Sequence, residues 1–170
     1  QGCADYSFIQ HIYQSLNPTN GRAAILLPHG VLFRDNEAKI RKKMIEADAV
    51  DAVIGLGPNL FYNSSMEACI LVLRTNKPVK HTGKILFVNG VKEVRKERSE
   101  SWLEPEHIEK MQSAYKGFKD IDGFAKVATK DEILENNGNL SIQLYVNNND
   151  KKEKADIEKL YADVQQSNTE

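Results

Sequence analysis

The residues best suited to chemistry lie in a short polar loop between two apolar runs. Residues 59–65 read Asn-Leu-Phe-Tyr-Asn-Ser-Ser, after an apolar run at 49–56 and before another at 68–73. Aromatic rings are costly to leave in water, so Phe61 and Tyr62 between two buried strands predict a surface for stacking or packing. One such role is to stack on a nucleobase that has been rotated out of a duplex. The spacing alone favours the other role, in which both rings close the end of the core.

A second candidate follows an earlier apolar run at 22–27, which a proline and a glycine bring to an end. His29 then lies at the carboxyl end of a strand, where α/β sheets bind ligands. One interpretation gives His29 a contact with a ligand or with DNA. The other gives it a structural role in the turn that leads into the next helix. Leu32 and Phe33 in the same turn are predicted to be core residues.

Basic side chains cluster just after this turn and along the next predicted helix. They are Arg34, Lys39, Arg41, Lys42 and Lys43. Such side chains could neutralise the phosphates of a nucleic acid, because backbone charge supplies most non-specific affinity. The favoured interpretation is a solvated helix face. Because the formal net charge of the chain is −1, any contact with DNA has to be local or shared with another subunit.

The residues give no support to several other kinds of site. Gly55 and Gly57 follow a strand, but a third glycine and a later acidic residue are missing, so we expect a turn there rather than a cofactor site. The histidines lack metal-ligand spacing, and no metal is expected. Cys69 inside an apolar run indicates a small buried side chain in a reducing cytoplasm. No apolar run approaches the ~20 residues that cross a bilayer, so no membrane role is expected.

Hydrophobic periodicity predicts an α/β fold that would hold these residues in place. Strands are predicted at 22–27, 49–56, 68–73, 83–90, 125–129 and 141–146. Helices are predicted at 5–16, at 36–47, from Pro105 to Phe118 and at 151–166, the last able to dock on this chain or on a partner. The strand–helix–strand order implies a parallel, right-handed crossover that starts from a central strand covered on both faces. Later strands could pair antiparallel at the sheet edge.

The composition changes after Gly90, where residues 91–100 carry charges of both signs and predict a solvated loop. The predicted divisions are therefore a first unit at 1–90, a charged connection with a small α+β extension at 91–150, and a helical tail at 151–170. Residues 101–104 resemble a capping box ahead of a helix, and residues 129–132 repeat that signature.

Several short motifs occur in a specific order along most of the chain. The earlier ones are Ala4-Asp5, Phe8-Ile9, His11, Gly21-Arg22-Ala23-Ala24, Leu27-Pro28, Gly30-Val31-Leu32-Phe33 and Ile40-Arg41. The later ones are residues 51–56, 58–62, 69–73 and 83–87, with weaker matches at 106–108 and 139–142. In this order they resemble the modification subunit of type I restriction systems, in the adenine-N6 DNA methyltransferase family.

The resemblance implies the second half of an S-adenosylmethionine-dependent, Rossmann-like methyltransferase sheet with flanking helices, plus a small α+β extension. It implies methylation of an adenine that has been rotated out of DNA, and it favours Phe61 as the ring that stacks on this base. The candidates to line the cleft or contact DNA are His29, Asn59, Tyr62, Asn63 and Arg34. The implied partners are DNA, the specificity and restriction subunits, and a missing N-terminal half of the same subunit.

The cofactor loop of that family and its Asn/Asp-Pro-Pro-aromatic motif both lie upstream of the matched region. The intact enzyme would use S-adenosylmethionine, but this chain alone is expected to bind no cofactor and to transfer no methyl group. The chain also departs from the family pattern at 63–68 and at 142–145. The alternative function is a non-catalytic remnant or interaction module that pairs with other subunits through an exposed sheet edge.

Overall fold

Residues 4–98 and 100–146 are described by the structure, a computed structural model. The strands are β1 (Arg22–Pro28), β2 (Val50–Leu56), β3 (Ala68–Arg74), β4 (Lys84–Gly90), β5 (Arg95–Glu97), β6 (Glu100–Trp102) and β7 (Ala125–Thr129). The helices are α1 (Asp5–Gln14), α2 (Ala38–Glu46), α3 (Pro105–Gly117), α4 (Lys130–Glu135) and α5 (Ile142–Tyr145). The helix predicted at 151–166 lies outside the described residues.

Five strands form one mixed sheet in the order β1-β3-β2-β4-β7. β2 and β4 are parallel, whereas β3 is antiparallel to both of its neighbours and β7 is antiparallel to β4. β1 and β2 therefore run in the same direction, as the strand–helix–strand pattern implies, but β3 lies between them. The predicted α/β class is confirmed as a mixed α/β fold. β7 matches the strand predicted at 125–129 and lies at the sheet edge, in the same sheet as the strands before residue 90.

Helices cover both faces of the sheet, and each face has its own apolar core. The larger core packs α1, α2, α4 and α5 against one face, with Phe87 and Tyr145 stacked at 4.1 Å between ring centroids. The smaller core packs Met111, Ala114 and Phe118 against the other face. The central strands β2 and β4 are almost fully buried, which fits their continuous apolar sequences.

β1 is an edge strand, so the prediction of a central strand covered on both faces is wrong. Only Leu27 of its seven residues is buried, and Leu26 is 52% exposed. One side of β1 pairs with β3 along its whole length, and no described strand pairs with its other side. An apolar run does not distinguish a central strand from an edge strand, because the order of neighbours is set by distant parts of the chain.

The charged segment after Gly90 contains a hairpin where a solvated loop was predicted. β5 and β6 pair antiparallel, with Arg95 opposite Trp102 and Lys96 opposite Ser101. Ser101 is buried in β6 and does not cap a helix. The cap of α3 lies three residues later, where the Glu104 amide donates to Nδ1 of His107 at 3.1 Å. The capping signature at 129–132 is confirmed, since the Glu132 amide donates to the Thr129 hydroxyl at 3.3 Å.

The strand predicted at 141–146 is wrong, because these residues form the short helix α5. Alternation of apolar and polar residues suggested the strand. In the structure Ile142, Tyr145 and Val146 are buried while Leu144 is 51% exposed, which is the spacing of one helix face.

Arg41 also departs from the prediction, since a solvated helix face was the favoured interpretation for the basic residues of α2. Its side chain is only 2% exposed. The guanidinium donates to the carbonyl oxygens of Gly138 at 2.8 Å, Arg34 at 3.0 Å and Val31 at 3.3 Å. Arg41 therefore ties α2 to two loops instead of facing phosphate, whereas Lys39 and Lys43 are exposed.

Within the described residues, no helix combines the length and the apolar character needed to cross a membrane. The same part of the chain holds no group of three acidic, histidine or cysteine side chains placed to bind a metal ion.

Candidate functional site

One edge of the sheet collects the ends of its three parallel strands. Leu56 at the end of β2 is paired with Gly90 at the end of β4, and Ala68 is paired with both Leu56 and Pro28. The segments that leave this edge are the turn after β1, the 57–67 loop between β2 and β3, and the connection from β4 to the β5–β6 hairpin. The carboxyl ends of parallel strands are where α/β sheets bind ligands.

An open cleft of about 560 Å³ lies at this edge. Residues 59–65 line one part of it and residues 100–102 of the hairpin line the other. The cleft thus brings together four of the six predicted site residues, namely Asn59, Phe61, Tyr62 and Asn63. We call it the aromatic cleft.

The backbone of the 59–65 loop is held in an unusual shape. Asn59 and Asn63 adopt φ angles of +60° and +54°, a left-handed conformation that asparagine tolerates better than most residues. The Ser64 amide donates to the Phe61 carbonyl at 3.1 Å, which closes the tip of the loop. The Ser101 amide donates to the Asn59 carbonyl at 2.9 Å, which fastens the loop to the hairpin. Both asparagines therefore have a conformational role, whatever their side chains contact.

The aromatic rings of the loop face solvent to a degree that is unusual for their size. Phe61 is 39% exposed and Tyr62 is 90% exposed. The neighbouring Leu60 packs against the smaller core, whereas neither ring belongs to either apolar core. Leu60 thus anchors the loop and leaves two aromatic faces open to a ligand.

His29 lies at the same edge but does not line the aromatic cleft. Its Nδ1 is 3.6 Å from Oε2 of Glu67, and its ring meets Phe33 edge to face at 6.0 Å between centroids. Burial lowers the pKa of His29, and the nearby Glu67 carboxylate only partly opposes that shift. Nε2 of His29 is buried and has no hydrogen-bond partner among the described residues. Leu32 is buried as predicted, but Phe33 is 45% exposed and is not a core residue.

Arg34 is placed away from the cleft and among carboxylates. Its guanidinium lies 2.6 Å from Asp5 and 3.2 Å from Glu37. Two acidic partners offset its charge and connect α1 to the turn before α2. A contact between Arg34 and DNA, like the cleft roles of the other candidates, stays a prediction.

The sequence interpretation missed the hairpin side of the cleft. Trp102 is 49% exposed and Ser101 is 5% exposed, and both line the cleft opposite the loop. These two residues lie far along the chain from the 59–65 loop, and no periodic pattern links the two segments. Only the tertiary structure brings them together. The available signal was a tryptophan, the only one in the chain, next to a charged segment.

The glycines after β2 do not form a cradle for a cofactor. A Cβ on Gly55 would lie 2.7 Å from Cδ1 of Ile142, and one on Gly57 would lie 2.8 Å from the carbonyl oxygen of Val91. Protein atoms thus occupy the space beside both residues, and the absence of a Cβ allows this close packing.

The comparison with known protein families gives a match over nearly the whole chain. The sequence profile of the family described as N-6 DNA Methylase matches residues 1–154. A type I restriction enzyme methylase subunit of Methanocaldococcus jannaschii, MjaVIII, is 38% identical over 98% of this chain. The MpnII methylase subunit of Mycoplasma pneumoniae is 37% identical over 92% of this chain. The chain spans only 29% and 28% of the lengths of these two relatives.

Solved structures agree with this assignment. The methyltransferase subunit of a type I restriction-modification system from Streptococcus thermophilus superposes with a TM-score of 0.80 and 42% identity, over 85% of this chain and 31% of that one. The EcoKI M protein shares the fold at a TM-score of 0.56 and 21% identity, over 66% of this chain and 25% of that one. Profile, relatives and fold agree, and the chain belongs to the N-6 DNA methylase family of type I restriction-modification methylase subunits.

Proposed function

We propose that this chain is the target-base side of the catalytic region of a type I modification subunit, a site-specific adenine-N6 DNA methyltransferase. The observation that carries the proposal is the aromatic cleft. It presents two exposed rings at the carboxyl edge of the sheet in a chain whose relatives are type I methylase subunits. A duplex hides the adenine amine in its base stack, so an enzyme that modifies this amine has to hold the base outside the helix.

Phe61 is the proposed stacking residue for that base. Taking a base out of a duplex costs a few kcal/mol, and stacking on an aromatic ring returns about 1–3 kcal/mol. The ring is held by a closed loop tip, so little conformational freedom is lost when the base arrives. Asn59, Tyr62 and Asn63 border the same space and are proposed to contact the base or the adjoining strand.

The rest of the machinery is proposed to come from outside the described residues. The unpaired side of β1 is available to continue the sheet with strands from an N-terminal half of the same subunit. That half would supply the Asn/Asp-Pro-Pro-aromatic motif and hold S-adenosylmethionine, the methyl donor. The specificity and restriction subunits of a type I complex are the other proposed partners, with DNA as the substrate. The 170-residue chain alone is expected to transfer no methyl group.

The experiment measures methyl transfer by the longer modification subunit that carries this chain, assembled with its specificity subunit. Tritium-labelled S-adenosylmethionine is the donor, and DNA from a strain that lacks the system is the acceptor. Phe61→Ala is expected to lower kcat/KM at least about tenfold, because it removes a stack worth about 1–3 kcal/mol. The melting temperature should change little, since Phe61 belongs to neither core.

Phe8→Ala is the matched control, because Phe8 is a phenylalanine with 67% exposure that does not line the cleft. It should methylate DNA like the unmodified subunit. Full activity of Phe61→Ala would refute the stacking role. An equal loss of activity and of melting temperature would instead assign Phe61 a structural role.

A second candidate function is favoured by β1 itself. An exposed edge strand that carries the half-exposed Leu26 can pair with another chain without any catalysis. A non-catalytic interaction module of this kind would tolerate Phe61→Ala. It would lose its partner when Leu26→Lys places a charge on the strand, as measured by co-purification with the other subunits.

A further inference from the structure

The five-stranded sheet has two edge strands, β1 and β7, and their outer sides differ. An edge strand presents backbone amides and carbonyls to which a strand of another molecule can add. Hydrogen bonds alternate in direction along an antiparallel strand, and the Gly21 carbonyl at the start of β1 accepts from the Thr75 amide on the β3 side. The backbone groups of Arg22, Ala24 and Leu26 therefore point outward, and the described residues give them no partner.

The same alternation shows which groups of β7 point outward. The Lys130 amide donates to the Gly83 carbonyl at 2.9 Å, on the β4 side. Because β7 and β4 are antiparallel, the backbone groups of Ala125, Val127 and Thr129 point to the opposite side. These three residues are the positions at which a further strand would have to pair.

Residues just before β7 already occupy two of these positions. The Ala125 amide donates to the Ile121 carbonyl, and the Ile121 amide donates to the Ala125 carbonyl, both at 2.8 Å. The Val127 amide donates to Oδ1 of Asp120 at 2.9 Å. A side-chain carboxylate thus takes the place that the carbonyl of a neighbouring strand would have.

The Asp120 carboxylate is held in this place from its other side. Its Oδ2 lies 2.5 Å from Nζ of Lys126, and both side chains are about half exposed. The hydrogen bonds from Lys126 and from the Val127 amide lower the pKa of Asp120, so the group is a charged acceptor at neutral pH. Because an exposed ion pair contributes little to stability, the main effect of this arrangement is on what can approach β7.

We propose that Asp120 blocks strand addition at β7 and so keeps two copies of this chain from pairing through their β7 strands. Two copies related by a two-fold axis would place the same strand antiparallel to itself. Such a pair needs the Val127 amide as a donor, and Asp120 already accepts its hydrogen. Pairing would also bring two carboxylates toward each other, which is unfavourable. This proposal does not depend on the aromatic cleft or on the function proposed for it.

The test measures self-association of the 170-residue chain by sedimentation equilibrium over a range of concentrations. Leu26→Lys is introduced first, because a charge on β1 suppresses pairing through the other edge strand. In this background Asp120→Ala frees the Val127 amide. The association constant should rise at least about tenfold over that of Leu26→Lys alone, the effect of one exchanged hydrogen bond from each copy. Equal association of the two chains would overturn the proposal.

Hydrogen exchange of the Val127 amide then locates the contact. In the double variant at low concentration this amide should exchange faster than in Leu26→Lys alone, because it has lost its acceptor. At high concentration the exchange should slow again as two β7 strands pair. Association that leaves the exchange of Val127 independent of concentration would assign the contact to another surface and refute the role of Asp120.

Matched variants separate the hydrogen bond from the charge. Asp120→Asn retains a side-chain carbonyl for the Val127 amide and should associate no more than Leu26→Lys alone. Asp35→Ala removes an exposed carboxylate elsewhere and should also have no effect. Circular dichroism checks folding, and Asp120→Val is a second variant without an acceptor. Equal association of Asp120→Asn and Asp120→Ala would show that only the charge matters and would overturn the blocking role of the hydrogen bond.

Discussion

The two ends of the parallel strands define two edges of the sheet, one where β2 begins and one where β2 ends. Polar and aromatic side chains are paired with one another at the first edge and exposed at the second. At the edge where β2 begins, Asp51 is fully buried and accepts a hydrogen bond from the Tyr115 hydroxyl at 2.7 Å, while its other oxygen lies 2.9 Å from Nδ1 of His81. The ring of His81 is stacked on Phe118 at 3.5 Å. At the edge where β2 ends, the described residues give the three rings of the aromatic cleft no ring–ring contact and the Ser101 hydroxyl no hydrogen-bond partner.

This contrast distinguishes the residues around Asp51, which stabilise the fold, from the residues of the aromatic cleft, which are proposed to bind a ligand. Both edges contain aromatic and polar side chains, so residue type alone does not distinguish them. At the Asp51 edge each group satisfies its neighbour, and burial with hydrogen bonding favours the folded state. At the cleft, three aromatic rings remain exposed to solvent. We therefore expect substitutions at the first edge to change stability and substitutions at the second to change binding.

The largest expected effect is at Asp51. Asp51→Ala leaves the Tyr115 hydroxyl and the His81 ring without their acceptor, and removing one partner of a buried charged network typically costs about 3 kcal/mol or more. Urea unfolding of the chain would measure the loss of free energy. The control is Glu109→Ala, an exposed position on α3, with an expected change within about 0.5 kcal/mol. A loss below about 1 kcal/mol at Asp51 would contradict the assignment of this network to stability.

A smaller effect, on binding only, is expected at Tyr62. Its ring is 90% exposed, so Tyr62→Ala should leave the urea midpoint unchanged. The affinity for single-stranded oligodeoxyadenylate should fall about threefold, less than the loss of a full stack, because so exposed a ring has little support from neighbouring side chains. Anisotropy titration measures this change. A shifted urea midpoint with unchanged affinity would place Tyr62 with the structural residues and remove the contrast between the edges.

The smallest effect is a pH dependence that comes from His29. Burial lowers the pKa of His29 in the folded chain, so the unfolded chain binds a proton more readily and stability falls as the pH drops below about 6.5. His29→Gln removes this titration, so stability between pH 7 and pH 5.5 should decline less steeply in the variant. Urea unfolding at several pH values provides the comparison. Identical slopes for the two chains would show that the His29 ring is not held in its neutral form.

Much of the sheet was predictable because the hydrophobic pattern of each strand lies within a short segment of sequence. β2, β3, β4 and β7 are apolar segments bounded by turn residues, and their predicted limits agree with the structure to within a residue or so. The sequence interpretation was wrong where the answer depends on distant neighbours. β1 has the composition of a central strand but lies at an edge, and residues 142–145 alternate like a strand but pack as a helix.

The candidate site was predictable on one side only. The 59–65 loop contains its aromatic residues side by side, so a single window of sequence is enough to select it. Trp102 belongs to a short strand with no apolar period, and its position opposite that loop depends on the path of the chain after β4. The burial of Arg41 was not predictable for the same reason. The three backbone carbonyls that accept hydrogen bonds from its guanidinium belong to other segments of the chain.

The place of β3 in the sheet has a consequence for the order of events during folding. β3 is synthesised after β1 and β2, yet it lies between them and pairs with both. Neither earlier strand can find its native neighbour until the chain has been extended past residue 74. A ribosome-bound chain that ends before β3 therefore contains two apolar segments that lack the strand that separates them in the native sheet. Direct pairing of these two segments would be a kinetic trap in folding.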